Sequence, residues 1–505
     1  MTLAPQRPNR PLIWPPAVDA VCAAVPQDAG AYLVGGAVRD AYLHRPIRDI
    51  DLATPGDGRP VARHIANALG GDYYPLDAER GVGRALIPWE DGQIVVDVAQ
   101  FRGADLLADL RLRDFTVNAL AVPVDGDRRA VIDPLGGMAD LERKVLRRCG
   151  PASIASDPVR GLRAIRASVA YELRIEPETR SDVRAQAARL ADVSPERVRD
   201  EFLQMLGSPK PSAALAAAAR LGLLSPVIPE LDPLPQIEQS APHQYNVWRH
   251  TLQTVEHLDH LLRIVGPERD VRDAGNIGYG AVAIALAHLR PQLADHLRVT
   301  WANGRPHRTL LLLAALLHDT GKARTYDVDD QGQAHFYGHE KISRSVATAV
   351  GERLRLSRDE IGRLAKIAGH HMRPHWLANA EDISARAIYR FWRDTGPAGV
   401  DICLLALADY LATVGPTLDH DRWLAYVETQ QQLLNRYFLD YARSVAPAPL
   451  LSGHDLIDIF DLQPGPEIGA VLEALREAQA AGEVASQGEA LEWVRRYLDD
   501  SASRN

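Results

Sequence analysis

The sequence predicts an α+β protein, with a small mixed sheet near the N terminus and an all-helical remainder. Strand and helix signals alternate up to about residue 145, strand signals vanish from about residue 150, and prolines cluster at 226–235 and 446–449. We therefore expect an N-terminal extension at 1–30, a sheet-containing head at 31–147, a helical neck at 148–230, a helical body at 236–445 and a helical tail at 446–505.

The elements of the head follow from short apolar runs and turn residues. Alternation with a period of two predicts strands, apolar spacings of three and four predict helices, and Gly70-Gly71 predicts a helix end. A hairpin is expected around a turn at Asp91-Gly92. The predicted elements are a strand at 31–34, a helix at 37–43, a strand at 49–53, a helix at 61–69 and hairpin strands at 85–89 and 93–99.

The composition is that of a globular protein and excludes several classes. The chain has 505 residues, 46% of them apolar, and a net charge of −9, so any nucleic-acid contact must come from a local basic surface. Cys22, Cys149 and Cys403 form no CxxC pair, which argues against a zinc ribbon or a disulfide scaffold. The longest apolar run, 310–317, is too short to span a bilayer, and no secretory signal is recognisable. We expect a cytoplasmic protein without membrane contact.

A glycine corner and two alternating aspartates form the first candidate site. Gly35 and Gly36 end the first predicted strand, and the helix that follows carries Arg39. Asp49 and Asp51 point to one face of the second strand, because side chains alternate along a strand. Two such carboxylates favour Mg²⁺, which completes its coordination with water and substrate phosphates. Backbone N–H groups of the glycine corner can approach those phosphates, and Arg39 can reach them from the helix.

Each of these features also has a purely structural explanation. Gly35-Gly36 can be a tight turn, and Asp49 and Asp51 can be a solvated strand edge. Their occurrence together and in this order favours a metal and triphosphate site. Asp97, in the second hairpin strand, is a candidate third carboxylate whose role the sequence leaves open.

These motifs resemble those of a known family. VGGAVRDAYL followed by RDIDLAT is similar to the signature of the class II tRNA nucleotidyltransferases and the related bacterial poly(A) polymerases. Further blocks follow in that family's order up to about residue 170, and the block at 133–141 resembles its flexible hinge. The resemblance implies a nucleotidyltransferase head in which Arg113, Asp114 and Asn118 contact the ribose.

The last of these blocks, at 156–166, resembles the protein template that selects CTP or ATP. The resemblance implies that Asp157 and Arg160 bind the Watson–Crick edge of the base, while Arg163 and Arg166 assist at the triphosphate. The spacing of three also predicts that these four side chains share one broad face of a helix that Asp157 caps. The structural alternative is a helix cap followed by a solvated arginine face.

Three positions depart from the family pattern. Ser156 stands where the family often has Glu, Leu112 replaces a common arginine, and Ala167-Ser168 replaces the usual Phe-Ala pair. These departures bear on nucleotide choice more than on the type of reaction.

Histidines and aspartates of the predicted body form a second candidate site. The four predicted metal ligands are His250, His318, Asp319 and Asp409. Imidazole and carboxylate together suit a divalent ion such as Mn²⁺, Fe²⁺, Co²⁺, Ni²⁺ or Mg²⁺ more than structural zinc. The order of the ligands resembles the HD phosphohydrolase domain, and the accessory histidines of some HD domains are matched by His339, His370 and His371. A single buried histidine is more often a satisfied core residue, and an HD body can also be a scaffold for RNA.

The resemblance implies an enzyme with a nucleotidyltransferase head, a helical neck, an HD body and a helical tail that adds or repairs the 3′-terminal CCA of tRNA. CTP and ATP would donate the nucleotides, with release of pyrophosphate and with Mg²⁺ on Asp49 and Asp51. The residues expected to contact the tRNA backbone are Arg143, Lys144, Arg147 and Arg148. The alternatives are a poly(A) polymerase, an enzyme that adds only CC or only A, and an HD phosphohydrolase with an inert head.

Overall fold

The computed structural model describes residues 4–90, 92–267, 275–380 and 382–502, and it confirms the predicted α+β class. The predicted turn residue Asp91 lies outside the described residues. The chain divides into two compact units: Met1–Arg197 with Ala217–Val227, and Val198–Ala216 with Ile228–Asn505. Residues of the predicted neck, 148–230, therefore occur in both units.

The first unit is built on a six-stranded mixed sheet. Its strands are β1 (Tyr32–Val34), β2 (Asp49–Thr54), β3 (Asp72–Asp77), β4 (Val82–Trp89), β5 (Gly92–Gln100) and β6 (Ala121–Pro123). The strand order is β3-β4-β5-β2-β1-β6, in which β2 and β5 run parallel and all other neighbours antiparallel. In β2 the apolar residues Ile50 and Leu52 are buried, which turns Asp49 and Asp51 to the opposite face.

Helices and a short two-stranded sheet complete this unit. They are α1 (Pro16–Ala23), α2 (Gly36–Leu43), α3 (Gly58–Leu69), α4 (Leu106–Arg111), α5 (Gly137–Glu142), β7 (Val145–Leu146), α6 (Ser153–Ser156), α7 (Arg160–Tyr171), β8 (Arg174–Ile175) and α8 (Pro177–Gln186). Helix α3 ends where predicted, at Gly70 in the left-handed conformation. The helices α9 (Pro195–Leu206) and α10 (Pro211–Arg220) have residues in both units.

The second unit is almost entirely helical. Its helices are α11 (Val247–Val265), α12 (Ile277–Ala285), α13 (Arg290–Leu297), α14 (His307–Leu317), α15 (Lys322–Thr325), α16 (His339–Arg353), α17 (Arg358–His370), α18 (Arg373–Ala378), α19 (Ala385–Thr395), α20 (Ala398–Val414), α21 (His420–Phe438), α22 (Tyr441–Ser444), α23 (Gly453–Phe460), α24 (Pro466–Ala480) and α25 (Gln487–Ala502). Two further strands, β9 (Asp327–Val328) and β10 (Ala334–His335), correct the expectation of no strands after residue 150, as does β8. Two-residue strands are too short to produce an alternating pattern.

Two apolar helices of the second unit, α14 and α20, are almost entirely buried. Every residue of the leucine-rich helix α14 except Arg308 is buried, and the helix α20 is buried over most of its length. One stretch among the described residues, Ala398–Thr417, is long and apolar enough to cross a membrane, but most of it lies buried inside the protein. Core helices of globular proteins meet the same criteria.

Candidate active site and candidate metal centre

The sheet of the head brings three carboxylates to one face. Asp49 and Asp51 are alternate residues of β2, and in the parallel pairing of β2 with β5 Asp51 lies directly opposite Asp97. Directly paired residues of neighbouring strands share a face, so Asp97 joins the two predicted aspartates. The carboxylate of Asp97 also accepts two hydrogen bonds from Arg84, from Nε at 2.8 Å and from Nη2 at 2.8 Å.

The electrostatics of this face favour a bound cation. Burial raises the pKa of Asp51, and the charges of Asp97 and Asp49 raise it further, while Arg113 and Arg39 act in the opposite direction. A cation placed among the carboxylates would relieve this repulsion. Oxygen ligands with room for water and phosphate fit Mg²⁺, so the donors present match the predicted ion.

Gly35 forms the corner beside these carboxylates. Its φ is +70°, and a Cβ atom there would lie 3.0 Å from Arg113 Nη1 and 3.4 Å from Asp51 Oδ2. A side chain at this position would therefore strain the backbone and crowd both groups. Gly36 begins α2, whose N terminus has no side-chain cap, so its first N–H groups can bind an anion.

Arg39 connects three segments of the first unit. Its guanidinium donates to Asp40, at 3.0 Å from Nε and 2.9 Å from Nη2, and also to Asn118 Oδ1 and the Tyr171 hydroxyl. The guanidinium carbon lies 4.0 Å from the centroid of the Tyr171 ring, close enough for a cation–π contact. Arg39 is buried, so in this conformation it links the glycine corner to Asn118 and to the end of α7.

The predicted ribose residues take part in two separate hydrogen-bonded pairs, Arg113 with Asp109 and Asp114 with Asn118. Arg113 donates to Asp109 Oδ2 from Nε at 3.1 Å and from Nη2 at 3.0 Å. Asp114 Oδ1 accepts from Asn118 Nδ2 at 3.0 Å. Burial on its own raises the pKa of Asp114, but the hydrogen bond from Asn118 and the charge of Arg163 outweigh it and lower the pKa. Asp114 is thus held as a carboxylate, and Arg163 Nη1 lies 3.7 Å from its Oδ2.

The start of the template helix differs from the prediction. Helix α7 begins at Arg160, and Asp157 precedes it in an extended conformation without capping it. The expectation that Asp157 lies on the helix face is therefore wrong. A residue before proline is driven out of the helical region, and Asp157 Oδ2 accepts a 2.7 Å hydrogen bond from Arg197 Nη2 instead. Among the described residues, Asp157 Oδ1 is buried without a hydrogen-bond partner.

Arg160 differs from the other arginines of α7 in its burial and in its hydrogen bonds. Arg160 is buried, and it donates from Nη2 to the Leu112 carbonyl at 2.9 Å and from Nη1 to the Ser153 carbonyl at 3.0 Å. Arg163 and Arg166 are half-buried on the same helix. The guanidinium of Arg160 therefore supports the segment that carries Arg113.

The predicted RNA-contacting stretch separates into two pairs. Arg143 and Lys144 are exposed. Arg147 donates from Nε to Asp140 Oδ2 at 3.0 Å, and Arg148 Nε lies 3.0 Å from Asp182 Oδ2. The first pair can meet an external anion, although Lys144 Nζ lies 3.7 Å from Glu172 Oε2, whereas the second pair neutralises carboxylates within the first unit.

The four predicted metal ligands of the body lie close together. His250 of α11 lies with its Nε2 2.8 Å from Asp409 Oδ1 of α20 and 3.4 Å from Asp319 Oδ2. His318, which follows α14, lies with its Nε2 3.3 Å from Asp319 Oδ2 and 3.6 Å from Asp409 Oδ1. All four side chains are buried, and His318 Nε2 has no hydrogen-bond partner among the described residues. Converging nitrogen and oxygen donors of this kind fit a divalent transition metal.

Two of the three accessory histidines lie at this centre. His339 Nε2 is 3.3 Å and His371 Nε2 is 3.6 Å from Asp319 Oδ1. Gly321 allows the close approach of α16, since a Cβ atom there would collide with the His339 carbonyl. His370 belongs to none of the candidate ligand groups found among the described residues.

Sequence reasoning missed two residues that contact the centre. Lys322 Nζ lies 2.7 Å from Asp319 Oδ2, and His375 Nε2 lies 2.8 Å from Asp409 Oδ2. The short spacing from Asp319 could have suggested Lys322, but His375 reaches Asp409 from another helix. Burial lowers the pKa of His318, but Asp319 and Asp409 outweigh it and raise the pKa to about 10. The carboxylates therefore favour a cation, whether a proton or a metal, at His318.

A cavity opens beside this centre. Its volume is about 750 Å³, and its wall includes Asp319 and Asp409. The cations Lys322 and Arg422 and the exposed ring of Trp376 also line it. The cavity is large enough for a small ligand that reaches the buried ligand atoms.

Family models match four stretches of the chain. The Poly A polymerase head domain matches residues 31–147, and a probable RNA- and SrmB-binding site of polymerase A matches 172–234. The HD domain matches 247–414, and domain 2 of the tRNA nucleotidyltransferases matches 428–494. The fold and its sites thus define a nucleotidyltransferase that carries an HD domain.

Curated relatives specify the family further. The chain is 33% identical to the A-adding tRNA nucleotidyltransferase of Deinococcus radiodurans, over 94% of this chain and 97% of the relative. It is 31% identical to the CC-adding tRNA nucleotidyltransferase of Geobacter sulfurreducens, over 93% and 91%. A solved CCA-adding enzyme in complex with CTP has the same fold, with a TM-score of 0.61, 19% identity and coverage of 96% of both chains. The chain belongs to the tRNA nucleotidyltransferase family, which confirms the resemblance read from its motifs.

Proposed function

We propose that this protein transfers nucleotides from CTP and ATP to the 3′ end of tRNA and so builds or repairs the terminal CCA, with release of pyrophosphate. The observation that carries the proposal is the face shared by Asp49, Asp51 and Asp97 beside the Gly35 corner, in a chain of this family. Action on tRNA would place the protein in the cytoplasm.

Asp49 and Asp51 are the proposed ligands of Mg²⁺, with Asp97 beside them. A divalent ion there supplies charge neutralisation and lowers the pKa of the attacking 3′ hydroxyl. The N–H groups after Gly35 and Gly36 would bind the triphosphate, since the uncapped N terminus of α2 favours anions. Phosphoryl transfer needs mainly such positioning and charge stabilisation.

The remaining head residues would orient the nucleotide. Arg113, Asp114 and Asn118 are proposed to bind the ribose, and Arg39 ties their segment to the phosphate corner. Arg163 and Arg166 would assist at the triphosphate from α7. Their half-buried position on one helix supports this role.

Asp157 and Arg160 are proposed to read the base. Asp157 Oδ1 is buried and unpartnered among the described residues, so it can accept a hydrogen bond from the amino group of cytosine or adenine. Arg160 would have to exchange a bond to the Leu112 or Ser153 carbonyl for one to the base. Base reading would then be coupled to movement of the segment that carries Arg113.

For the RNA substrate, the proposal rests on the exposed pair of the basic stretch. Arg143 and Lys144 would contact tRNA phosphates directly. Arg147 and Arg148 would do so only if they left Asp140 and Asp182.

A partial reaction is the main alternative within the family. Relatives that match over more than nine-tenths of this chain are named A-adding or CC-adding enzymes. This observation favours addition of only A or only CC over addition of a poly(A) tail.

A second proposed activity belongs to the body, as a metal-dependent phosphohydrolase. The observation that favours it is the 750 Å³ cavity that reaches Asp319 and Asp409. The substrate-facing cations would be Lys322 and Arg422.

One assay tests the transfer proposal. The protein with Mg²⁺ is given tRNA transcripts that end before the CCA, after C or after CC, with CTP, ATP or both, and the products are sized to one nucleotide. Extension that stops after CCA supports full addition, and extension confined to one type of transcript identifies an A-adding or CC-adding enzyme. Long adenosine tracts, or transfer that persists in Asp49→Asn, would overturn the proposal.

A further inference from the structure

The row of side chains that contains Asp51 and Asp97 continues across two more strands of the head sheet. Asp97 on β5 lies opposite Arg84 on β4, and Arg84 lies opposite Tyr74 on the edge strand β3. Directly paired residues of neighbouring strands share a face, so Arg84 and Tyr74 belong to the face of the carboxylates. A cation and then an aromatic ring therefore follow the carboxylates toward the edge of the sheet.

Arg84 and Tyr74 lie on the face of the sheet that α3 leaves open. Helix α3 packs on the opposite face, where its Arg63 guanidinium lies 4.7 Å from the centroid of the Tyr73 ring. Because successive side chains of a strand alternate, Tyr74 points away from α3. Tyr74 is 47% exposed, and the side chain of Arg84 is 38% exposed, so a ligand in solution can reach both.

Asp97 occupies only part of the hydrogen-bonding capacity of Arg84. A guanidinium has more N–H donors than the two that Asp97 accepts, from Nε and Nη2 at 2.8 Å each. The planar fork of a guanidinium also matches the oxygens of a phosphate. Arg84 can therefore pair with Asp97 and bind a phosphate at the same time. A purely structural ion pair would explain Arg84, but it would not explain the exposed ring beside it.

The exposed ring next to this cation indicates single-stranded nucleic acid as the ligand. Sheet surfaces that bind single strands stack the bases on aromatic side chains and hold the phosphates with basic ones. The length of the strand is limited by Asp72, which is exposed and points to the same face two residues before Tyr74 on β3. Its carboxylate would repel a further phosphate, so the surface suits one nucleotide at the end of a strand.

The position of this surface indicates which end of the reaction it serves. The Gly35 corner lies on the β1 side of Asp51, because Val34 of β1 pairs with Asp51, whereas Arg84 lies on the β4 side. In phosphoryl transfer the attacking and leaving oxygens lie roughly in line on opposite sides of the phosphorus. If pyrophosphate leaves at the glycine corner, the attacking hydroxyl comes from the side of β5 and β4. Strands lie about 4.8 Å apart, so β4 is about 10 Å from β2, on the scale of a single nucleotide.

We propose that Tyr74 and Arg84, here called the acceptor platform, bind the last nucleotide of the RNA that is extended. Tyr74 stacks on the base, Arg84 binds the phosphate on its 5′ side, and the 3′ hydroxyl is directed toward Asp51 and Asp97. Stacking tolerates any base, so the platform serves acceptors that end in different nucleotides. This inference rests on the nucleotide transfer proposed above and adds the residues that position the attacking strand.

An altered acceptor tests the contact with Arg84. A labelled tRNA transcript that lacks CCA is prepared with its last phosphodiester either intact or replaced by an uncharged methylphosphonate. Its affinity for the full-length protein is measured by fluorescence anisotropy without nucleotides. The unsubstituted protein should bind the uncharged acceptor about tenfold more weakly, since one charge-assisted contact is lost. Arg84→Gln should bind both acceptors equally, at the weaker affinity.

Two results of this experiment would overturn the role of Arg84. A purely structural role would make Arg84→Gln weaken the binding of both acceptors by the same factor. Equal affinity of the unsubstituted protein for the two acceptors would also refute the phosphate contact, and that measurement does not depend on the folding of any variant.

An acceptor whose last nucleotide lacks its base tests the contact with Tyr74. Tyr74→Ala should weaken the binding of the complete acceptor by about tenfold, because a stacked base is lost, and should leave the binding of the abasic acceptor unchanged. Tyr74→Phe keeps the ring and should retain the affinity. Equal losses on both acceptors, or a loss in Tyr74→Phe as large as in Tyr74→Ala, contradict stacking.

Arg59→Gln is the matched control for Arg84→Gln. Arg59 also pairs with a carboxylate, that of Asp57, and its side chain is 35% exposed, but it belongs to α3 on the opposite face. Arg59→Gln should leave all three affinities unchanged, and a loss equal to that of Arg84→Gln would refute a role specific to the open face. Because binding is measured without nucleotides, it can fail while the transfer assay succeeds, or succeed while that assay gives no product, so the two proposals fail distinguishably.

Discussion

The aspartate face of the head and the histidine–aspartate centre of the body both suit cations, but they differ in ligand and in burial. The head offers carboxylate oxygens, with Asp49 exposed and Asp51 half-buried. The body offers imidazole nitrogens with carboxylates, and His250, His318, Asp319 and Asp409 are all buried. Hard oxygen ligands open to solvent fit an ion that binds together with a substrate, whereas a buried mixed set fits a resident transition metal.

A third group in the body shows that composition alone does not make a metal site. His296 Nε2 and His307 Nε2 each lie 2.8 Å from Asp401 Oδ1, and Arg363 donates to Asp401 Oδ2 at 2.5 Å. Trp301 Nε1 donates to His307 Nδ1 at 3.0 Å, so a neutral His307 presents an N–H, and not a lone pair, to Asp401. The direction of one hydrogen bond thus separates a satisfied carboxylate from a metal site.

The sharpest test of the comparison is to disable each centre separately. Asp51→Asn should reduce nucleotide transfer to tRNA by roughly 10³-fold or more, since it removes one of the proposed metal ligands. His318→Asn should leave the same rate within about twofold, because its effect is confined to the body. The rates come from single-turnover extension of a transcript that lacks CCA. A large loss of transfer in His318→Asn would break the division of labour between the two sites.

The next largest effect is expected on the stability of the body, at the buried carboxylate of Asp401, which is paired with Arg363 and two histidines. Asp401→Asn should destabilise the body by about 3–5 kcal/mol, because Arg363 and two histidines lose a buried partner. Burial raises the pKa of Asp401, but His307, Arg363 and His296 outweigh it and hold the pKa well below its usual range. The stabilising contribution is therefore present above the unfolded pKa of about 3.9 and is lost as the pH falls through the lower folded value. Denaturant unfolding between pH 3 and pH 7 measures the loss of stability and its dependence on pH. Asp330→Asn is the control, because Asp330 is exposed. Equal stability of the two variants would contradict the assignment.

A smaller loss of nucleotide transfer is expected from a substitution at the glycine corner. Gly35→Ala places a methyl group 3.0 Å from Arg113 Nη1 in a backbone conformation that costs alanine about 1–3 kcal/mol. Displacement of the N–H groups that are proposed to bind the triphosphate should lower the transfer rate by about 100-fold. Gly136→Ala is the matched control, because Gly136 also has a positive φ but a methyl group there would meet no atom within 4 Å. A similar loss in both variants would assign the effect to folding and not to the corner.

The smallest effect is expected on the affinity for tRNA, from substitutions in the basic stretch 143–148. Arg143→Ala and Lys144→Ala should each reduce the slope of log affinity against log salt by about 0.7–0.9 for tRNA. Arg148→Ala should change the slope less, because Asp182 already pairs with Arg148. Filter binding at several salt concentrations gives the slopes. Affinity that does not respond to salt would remove the stretch from the RNA-binding surface.

Much of the head could be predicted because its patterns are local. The alternation in Asp49-Ile50-Asp51-Leu52 gave both the strand and the face of the aspartates. Strand β3 was missed because it contains Pro75 and has no buried residue, so it carries no alternating apolar pattern. Asp157 was misplaced because its preference for capping was overridden by Pro158 and by Arg197, which is distant in sequence.

The body was harder to predict because its centre depends on contacts between helices. The motif gave His318 and Asp319, but the choice of His371 over His370 depends on how the end of α17 faces Asp319. The contact of His375 with Asp409 joins α18 to α20. The tautomer of His307 depends on Trp301, whose role has no signal in the sequence.

The shared guanidinium of Arg39 has a consequence for any mutational study of the head. The glycine corner, the segment of Asn118 and the end of α7 converge on the Arg39 side chain, through its hydrogen bonds to Asn118 and Tyr171. Truncating Arg39 would loosen all three at once, so its kinetic defect could not be attributed to any single step. Tyr171→Phe, which deletes one hydroxyl and keeps the ring under the arginine, tests separately the proposed coupling between nucleotide selection at α7 and nucleotide transfer.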